Sequence, residues 1–345
     1  MPSTIKKDCL RTYAVGLLIF LTVMSVFFTG CTDSGGNSVK KNLRIGIVIS
    51  PQGLNDKGFN EMAHTGMKNA EKLYGAETII IEPVTMHDSE ASLRFFTGQT
   101  FDAIIAVGMS FIEPIKKVSK EHPELPFFII DSDISEGKIR GISFREEEGS
   151  FLCGYLASSM SKSNKIGFVG GVNIPVIQRF LTGYKEGAAF FSSDTQVIEK
   201  FVAEGYSGFN LADKAKQITL DMYQGGCDVI FHAAGASGLG VISAGVEAKK
   251  FLIGADMNQD WLAPGLILTS MVKRVDLVVE NIIKSLHDGN KLDTMKFSYG
   301  ISDGGLDLTD FEFTRNIVGD ELIAKLNTLK NEISSGKRKV SVPVK

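Results

Sequence analysis

The chain has 345 residues, of which 37 are Lys or Arg and 40 are Asp or Glu, so its formal net charge is −3 at pH 7. Proteins that bind nucleic acid through its phosphates carry a basic excess, and this balance argues against a nucleic-acid partner. About 300 residues remain beyond the N-terminal region, more than one hydrophobic core usually holds, so two lobes are expected.

The N-terminal segment has the polarity of a secretory leader. Three basic residues precede the uncharged run YAVGLLIFLTVMSVFF at 13–28, which is short for a membrane span. The run leads into FTGC, and the small residues before Cys31 resemble the lipobox of bacterial lipoprotein precursors. We expect residues 1–30 to be removed, Cys31 to be acylated, and the polar segment 31–42 to tether the protein to a membrane. An uncleaved N-terminal anchor with an incidental cysteine is the alternative.

From position 43 onward, short apolar runs alternate with amphipathic stretches. The runs are LRIGIVIS, TIIIEPV, DAIIAVG, PFFIID, KIGFVGG, VIEKFVA, CDVIFHAAG, KFLIGAD and LILTSMV. Between them, apolar residues recur at helical spacing, as Met62, Ala63, Met67 and Ala70 do. Continuous apolar strands that alternate with helices predict α/β lobes built on doubly wound parallel sheets.

Two regions with this alternation of strands and helices are joined by the stretch REEEGSFLCGYLASSMSKS. This arrangement predicts two lobes connected by a hinge. We assign residues 43–145 and 270–295 to the first lobe and residues 146–269 and 296–335 to the second. The remaining residues, 336–345, form a basic tail. This tail is either a contact surface or a solvated chain end.

The sequence contains no recognisable catalytic or metal centre. The glycines of GASGLG fall in the wrong order for a dinucleotide fingerprint, and GSFLCGYL lacks the lysine and hydroxyl residue of a phosphate loop. The five histidines lack zinc spacing, Ser237 lacks a nucleophile elbow, and DSDISEG departs from a calcium loop. Cys153 and Cys227 are interpreted as buried free thiols, although the sequence leaves open whether they approach each other. No catalytic residue, metal or cofactor is therefore expected.

Ligands of doubly wound sheets bind beyond the carboxyl ends of the strands, so the residues after each run are binding candidates. NDKGFN, GMS, DSD, GGVN, AGASG and DMNQD occupy such places. Within NDKGFN, Phe59 lies beside Asn60 and Asp56, which combines an aromatic face with polar groups. Such a combination suits a planar heterocycle with polar edges. Phe209, in another turn-rich connection, is placed to stack on the opposite side.

Asp256 and Lys273, each at the end of a run, are candidates for contacts with a sugar. A buried carboxylate suits vicinal hydroxyls because its two oxygens accept from both, and the lysine could offset that charge or donate to a sugar oxygen. Every candidate also has a purely structural alternative. The polar residues could cap helices or start turns, the phenylalanines could pack on their own helices, and the lysine could be solvated.

Five ordered blocks resemble the signature segments of the basic membrane protein family of lipoproteins. They are NDKGFNEMAHTG, FREEEGSFLCGYLA, KIGFVGGVNIPVIQRFLTGYKEGA, IGADMNQD and LTSMVK, and the resemblance runs from about residue 44 to residue 310. Members of this family are substrate-binding proteins of ABC importers with the type I periplasmic-binding fold, and several are purine-nucleoside receptors. Gly58 and Gly208 stand where serine is frequent in the family.

The resemblance implies a role for each candidate residue. The base would lie between Phe59 and Phe209, and Asp256 and Lys273 would hold the ribose. The remaining implied contacts are to the base edges, from Asp56, Asn60 and Asp131, and from the backbone around Met109, Ser110 and Gly235.

The resulting hypothesis is a monomeric, lipid-anchored receptor that closes two lobes on a nucleoside, with purine nucleosides favoured. It would present the nucleoside to an ABC permease and its ATPase, and it would be neither an enzyme nor a nucleic-acid-binding protein. One alternative is a protein of the same fold for another planar solute. Another is a surface adhesin or signalling receptor, suggested by the tether and the basic tail. A nucleoside-processing enzyme lacks a candidate general base with a positioned nucleophile.

Overall fold

A computed structural model describes residues 42–343 of the chain. The predicted leader, Cys31 and nearly all of the predicted tether lie outside the described residues. In chain order, the strands are β1 (Arg44–Val48), β2 (Glu77–Ile81), β3 (Ala103–Val107), β4 (Phe127–Ile130), β5 (Ser135–Glu136), β6 (Ile139–Phe144), β7 (Lys165–Val172), β8 (Gln196–Ala203), β9 (Val229–Ala233), β10 (Phe251–Asp256), β11 (Ile267–Lys273), β12 (Ser298–Tyr299) and β13 (Leu306–Leu308).

The α-helices of the described residues connect these strands and close the chain. They are α1 (Phe59–Tyr74), α2 (Ser89–Thr97), α3 (Ile112–Glu121), α4 (Glu146–Met160), α5 (Pro175–Phe191), α6 (Ala212–Gln224), α7 (Gly238–Ala248), α8 (Val275–His287), α9 (Arg315–Val318) and α10 (Asp320–Ser334). No helix within residues 42–343 is both long and apolar enough to cross a membrane.

The strands form two sheets. The first has the order β12-β6-β4-β3-β1-β2, with every neighbouring pair parallel and β5 added antiparallel to β6. The second has the order β13-β11-β10-β9-β7-β8 and is parallel except for β13. Strand β7 therefore corresponds to β1, and β10 corresponds to β4. The two doubly wound α/β lobes predicted from the sequence are confirmed.

Each sheet is buried on both faces, which explains the continuous apolar runs. In β1, Ile45 and Ile47 face one hydrophobic cluster while Val48 faces another. In the second sheet, Phe168 and Val169 of β7 likewise belong to different clusters. Cys153 and Cys227 are both buried free thiols, Cys153 in the larger of these clusters.

The chain passes between the two sheets three times, after β6, after β11 and after β12. Strand β11 belongs to the second sheet as far as Lys273, so the predicted lobe boundary at residue 270 falls inside a strand. Strand β12 pairs with β6 in the first sheet, so the predicted return to the second lobe at residue 296 comes too early. The second difference has a long-range cause, because the two-residue strand β12 pairs with β6, about 155 positions earlier.

The basic tail packs on the second lobe over the part that the structure describes, residues 336–343. The Arg338 guanidinium lies 4.0 Å from the centre of the Phe190 ring and 5.2 Å from that of Phe151, and it pairs with Glu332 at 3.1 Å. The Ser341 amide donates to Glu186 Oε2 at 2.7 Å. The tail is thus attached to helices α4 and α5 through Arg338 and Ser341, while Lys337, Lys339 and Val342 are exposed.

Candidate ligand-binding site

A cavity lies between the two sheets, at the carboxyl ends of their strands, and it contains about 630 Å³ of empty space that is partly open to solvent. The first lobe contributes Ser50, Gln52, Asp56, Phe59, Gly108, Met109, Ser110 and Asp131 to the lining. The second lobe contributes Ile174, Val176, Ile177, Phe180, Tyr206, Phe209, Ala233, Gly235, Asp256 and Lys273. Nine of the ten predicted ligand-binding residues therefore meet in one cavity, and Asn60 does not line it.

The start of helix α1 positions Phe59 at the cavity wall. Asp56, which is 2 % exposed, accepts hydrogen bonds from the amides of Gly58 at 3.0 Å, Asn60 at 2.8 Å and Glu61 at 3.2 Å. A carboxylate that accepts from the first amides of a helix is a strong N-terminal cap. Burial raises the pKa of Asp56 to about 6, although these three amides act in the opposite direction. Asp56 thus caps the helix and borders the cavity at once.

Asn60 has a structural role, and its predicted contact with a base edge is not supported. Its side chain is fully buried, does not line the cavity, and bonds to the preceding loop. Its amide donates to the carbonyls of Ser50 at 3.1 Å and Gly53 at 3.0 Å, while its Oδ1 accepts from the Ser50 hydroxyl at 2.9 Å. The residue therefore holds the loop between β1 and α1, which is the structural alternative that the sequence allowed.

Phe209 reaches the cavity because two glycines let it approach strand β7. It ends a 3₁₀ turn, Tyr206–Phe209, and its ring lies against the bare backbone of Gly171. A Cβ on Gly171 would be 2.3 Å from Phe209 Cδ1, and a Cβ on Gly208 would be 2.2 Å from the Gly171 carbonyl oxygen. Glycine at position 208, where serine is frequent in the family that the sequence resembles, is thus demanded by backbone contact.

A side chain could be accommodated at position 58 but not at position 208. The backbone of Gly58 is extended, with a φ of −164°, and a Cβ there would lie 3.6 Å from Asp256 Oδ2. A serine at this position would fit, and its hydroxyl would lie near that carboxylate. Because Gly58 belongs to the first lobe and Asp256 to the second, the two lobes nearly touch at this point.

Asp131 and Asp256 face the cavity from opposite sheets, directly after β4 and at the end of β10. Both have a φ of +69°, a left-handed conformation that is rare for residues other than glycine. Asp256 is buried, with only 9 % of its surface exposed. Within residues 42–343, its side chain nevertheless makes no hydrogen bond or ion pair. Burial raises the pKa of Asp256 to about 7, and the nearby Lys273 opposes that rise. Asp256 is therefore a buried acceptor that a ligand hydroxyl would satisfy.

Lys273 is the centre of a buried ion-pair network. It is 1 % exposed, and its Nζ lies 2.6 Å from Asp131 Oδ1 and 2.9 Å from Glu146 Oε1. The other Glu146 oxygen accepts from Arg179 Nε. Burial alone would lower the pKa of Lys273, but the surrounding carboxylates outweigh it and raise that pKa. Lys273 is thus charged and joins an aspartate of the first lobe to the second lobe, which excludes the solvated alternative.

Aromatic rings surround the same ammonium group. Lys273 Nζ lies 5.0 Å from the centre of the Phe59 ring and 4.9 Å from that of Phe144. These distances fall within cation–π range. The cavity consequently combines apolar and aromatic walls with one charged polar end, an arrangement suited to a ligand with a flat part and a hydroxyl-bearing part.

Comparison with known proteins assigns this chain to a family. A family model described as "ABC transporter substrate-binding protein PnrA-like" (Bmp) matches residues 44–343. This chain belongs to the Bmp family. The sequence is 30 % identical to "ABC transporter nucleoside-binding protein BmpA" of Lactococcus lactis subsp. cremoris, over 97 % of this chain and 99 % of that protein. It is also 30 % identical to "Basic membrane protein A2" of Borrelia garinii subsp. bavariensis, over 92 % of this chain and 93 % of the relative.

A solved structure supports the same assignment for this Bmp-family chain. An ABC transporter solute-binding protein from Aeropyrum pernix K1 superposes with a TM-score of 0.78 and 25 % sequence identity, covering 88 % of this chain and 94 % of that one. The family resemblance and the type I periplasmic-binding-like fold inferred from the sequence are both confirmed. The chain is a substrate-binding protein of the ABC transporter class and not an enzyme. The described residues contain no cluster of three or more His, Cys, Asp or Glu side chains that could hold a metal ion.

Several lining residues of this Bmp-family site escaped the sequence reasoning. Val176, Ile177 and Phe180 line the cavity from α5, although apolar residues at helical spacing are ordinarily assigned to the core. Gln52 and Tyr206 also line the cavity, four residues before Asp56 and three residues before Phe209. Glu146 belongs to the stretch interpreted as a connection between lobes, and nothing in its local pattern indicates that it pairs with a lysine 127 positions later.

Proposed function

We propose that this protein captures nucleosides, purine nucleosides in particular, in the cavity between its lobes. The observation that carries the proposal is the meeting of two aromatic residues from opposite lobes, Phe59 and Phe209, with an unpartnered buried carboxylate, Asp256. The rings suit the two faces of a base, since stacking contributes about 1–3 kcal/mol per base. The carboxylate suits the vicinal hydroxyls of ribose. A relative named as a nucleoside-binding protein adds support.

Each predicted residue that lines the cavity has a role in binding the nucleoside. Phe59 and Phe209 stack on the base, while Asp56, Asp131 and the backbone at Met109, Ser110 and Gly235 border its edges. Asp256 and Lys273 hold the ribose. Asp131, already bound to Lys273 at 2.6 Å, would share that lysine with the ligand.

The proposal also includes delivery and anchoring. The protein is exported, acylated at Cys31 and held at the membrane by residues 31–42, and it acts as a monomer. From there it passes its nucleoside to an ABC permease powered by an ATPase. Membership of a family of ABC transporter substrate-binding proteins supports the transporter partners. Metabolic labelling with palmitate, compared between wild type and Cys31→Ala, tests the anchor.

Isothermal titration calorimetry tests the ligand. Protein is unfolded and refolded to remove any ligand carried through purification, then titrated with adenosine, guanosine, inosine, cytidine and uridine. Tight one-to-one binding of purine nucleosides, with weaker heat from the pyrimidine nucleosides, is the expected result. Folded protein that binds no nucleoside would refute the proposal and redirect the search to other planar solutes.

A further inference from the structure

A buried glutamine joins the two lobes. Gln259 follows β10 in the second lobe and is 2 % exposed. Its side-chain amide, Nε2, donates to the main-chain carbonyl of Lys57 in the first lobe at 2.8 Å. Gln259 does not line the cavity, but Lys57 lies between Asp56 and Phe59, which do. The hydrogen bond thus connects the second lobe to the loop that carries part of the site.

The second lobe fixes the orientation of this amide. Gln259 Oε1 accepts from the Ala255 amide at 3.0 Å and lies 3.0 Å from His232 Nε2. A main-chain N–H can only donate, so the atom facing Ala255 must be the oxygen, and the NH₂ group must face Lys57. Burial lowers the pKa of His232 to about 4, which leaves its ring neutral and able to donate from Nε2. The donor toward the first lobe is therefore set before the lobes meet.

The main-chain amide of Gln259 is also fixed by a hydrogen bond within the second lobe. Its amide donates to the Ser270 hydroxyl at 3.0 Å, and that hydroxyl donates to Asp260 Oδ1 at 2.6 Å. Beneath the side chain, a Cβ on Gly254 would lie only 2.8 Å from Gln259 Oε1. Glycine at that position therefore lets the glutamine sit directly on strand β10. These contacts order a long side chain in advance, so its interlobe bond costs little conformational entropy.

The acceptor on the other lobe is also specifically arranged. Lys57 has a φ of +50°, in the left-handed region, and its side chain pairs with Glu61 at 3.2 Å. A non-glycine residue adopts this conformation only when its surroundings compensate for the strain. The cap formed by Asp56 holds the following turn, and the Gln259 amide satisfies the carbonyl. The loop is thus held from both lobes when the cleft is closed.

We propose that Gln259 is a positioning residue that locks the closed cleft by holding the loop of Asp56, Lys57 and Phe59 over the ligand. The interlobe bond exists only when the lobes are together, so it stabilises the closed state and not the separate lobes. Its loss speeds ligand release and leaves the rate of capture largely unchanged. The inference rests on the proposed function for the choice of ligand, but not for the bond itself.

The test uses the full chain with the substitution Gln259→Glu. A carboxylate keeps the acceptor for Ala255 and His232 but replaces the donor toward Lys57 with an oxygen that repels its carbonyl. We expect inosine to dissociate about tenfold faster in stopped flow, with the association rate within about twofold of wild type. Asn258→Asp is the matched control, because Asn258 is an exposed neighbouring amide whose side chain bonds only within its own turn. It should release inosine at the wild-type rate.

A second variant and a second measurement distinguish loss of the interlobe bond from misfolding and from failure to bind nucleosides. Gln259→Met removes the donor without adding charge, so it decides the matter if Gln259→Glu fails to fold. Fluorophores at Val84→Cys and Lys214→Cys, two exposed positions in different lobes, report the interlobe distance without ligand. Wild-type release rates in both folded variants would overturn the proposal. If wild type binds no nucleoside, the proposed function fails separately, and an unchanged interlobe distance in the variants would overturn the lock as well.

Discussion

Asp131 and Asp256 occupy corresponding positions in the two lobes, each at the carboxyl end of the fourth strand along its half of the chain, and each has a φ of +69°. Their partners differ. Asp131 is paired with Lys273 at 2.6 Å, whereas Asp256 has no side-chain partner within the described residues. A repeated architecture thus presents two carboxylates to one cavity, one paired with a lysine and one without a side-chain partner in the described residues.

The unpartnered carboxylate predicts a conflict between stability and binding. The pKa of Asp256 is about 7 in the folded protein and 3.8 ordinarily, so the folded state holds the proton more tightly than the unfolded chain does. The contribution of Asp256 to the free energy of unfolding is therefore greatest below pH 4 and declines as the pH rises toward 7. Asp256→Asn should raise the melting temperature of the ligand-free protein at pH 8, with less effect at pH 5, while weakening nucleoside binding. A lower melting temperature at pH 8 would contradict this account.

The aromatic wall predicts a loss of affinity without a loss of fold. Phe59→Ala should weaken binding of a purine nucleoside by about 1–3 kcal/mol, because one stacking surface disappears. Isothermal titration calorimetry measures the change. Phe95→Ala is a suitable control, since Phe95 is 50 % exposed on helix α2 and does not line the cavity. Equal affinities for the two variants would remove Phe59 from the site.

The glycine beneath Phe209 predicts an indirect effect on binding. Gly171→Ala places a methyl group where the Phe209 ring lies, at a distance of 2.3 Å, so the ring must move. We expect affinity to fall by a similar amount to that of Phe209→Ala, and the double variant Gly171→Ala with Phe209→Ala to lose little more. Additive losses in this double-mutant cycle would mean that Gly171 acts on binding by another route.

The buried lysine predicts a strong dependence of stability on its charge. Lys273→Met leaves Asp131 and Glu146 buried without their common cation, and removal of one partner from a buried ion pair costs about 3–5 kcal/mol. Urea unfolding should show this loss at pH 8 and a smaller one at pH 5, because burial raises the pKa of Asp131 and its protonation removes an uncompensated buried charge. Lys72→Met, on the exposed face of α1, provides the comparison and should change little. A neutral effect of Lys273→Met would mean that the network contributes no net stability.

The sequence predicted much of the cavity lining for a simple geometric reason. Parallel strands place their carboxyl ends along one edge, so residues scattered over more than 200 positions, such as Phe59 and Lys273, could be assigned to one region before their contacts were known. Asn60, predicted to contact a base edge, is occupied by hydrogen bonds to the adjacent loop, because an amide at a helix start readily bonds to nearby backbone groups.

Other features lie beyond such reasoning because they depend on long-range partners. Gln259 lies in the segment DMNQD, which the strand-end rule did indicate, but only the aspartate at its start was chosen. Its significance comes from a carbonyl 202 positions earlier. The return of the chain to the second lobe was misplaced for the same reason, because β12 pairs with the distant strand β6. The docking of Arg338 on Phe190 likewise cannot be inferred from a run of basic residues alone.

The chain passes between the sheets three times, and these connections determine how small a free-energy difference can shift the balance between the open and closed states. Because three covalent connections keep the lobes together, the open state has no freedom to diffuse apart, and each lobe meets the other at a high effective concentration. Closure is then an intramolecular step. The connections have already removed most of the translational entropy that two separate lobes would lose on association. Under that condition, one hydrogen bond of ordinary strength is enough to shift the balance between capture and release severalfold.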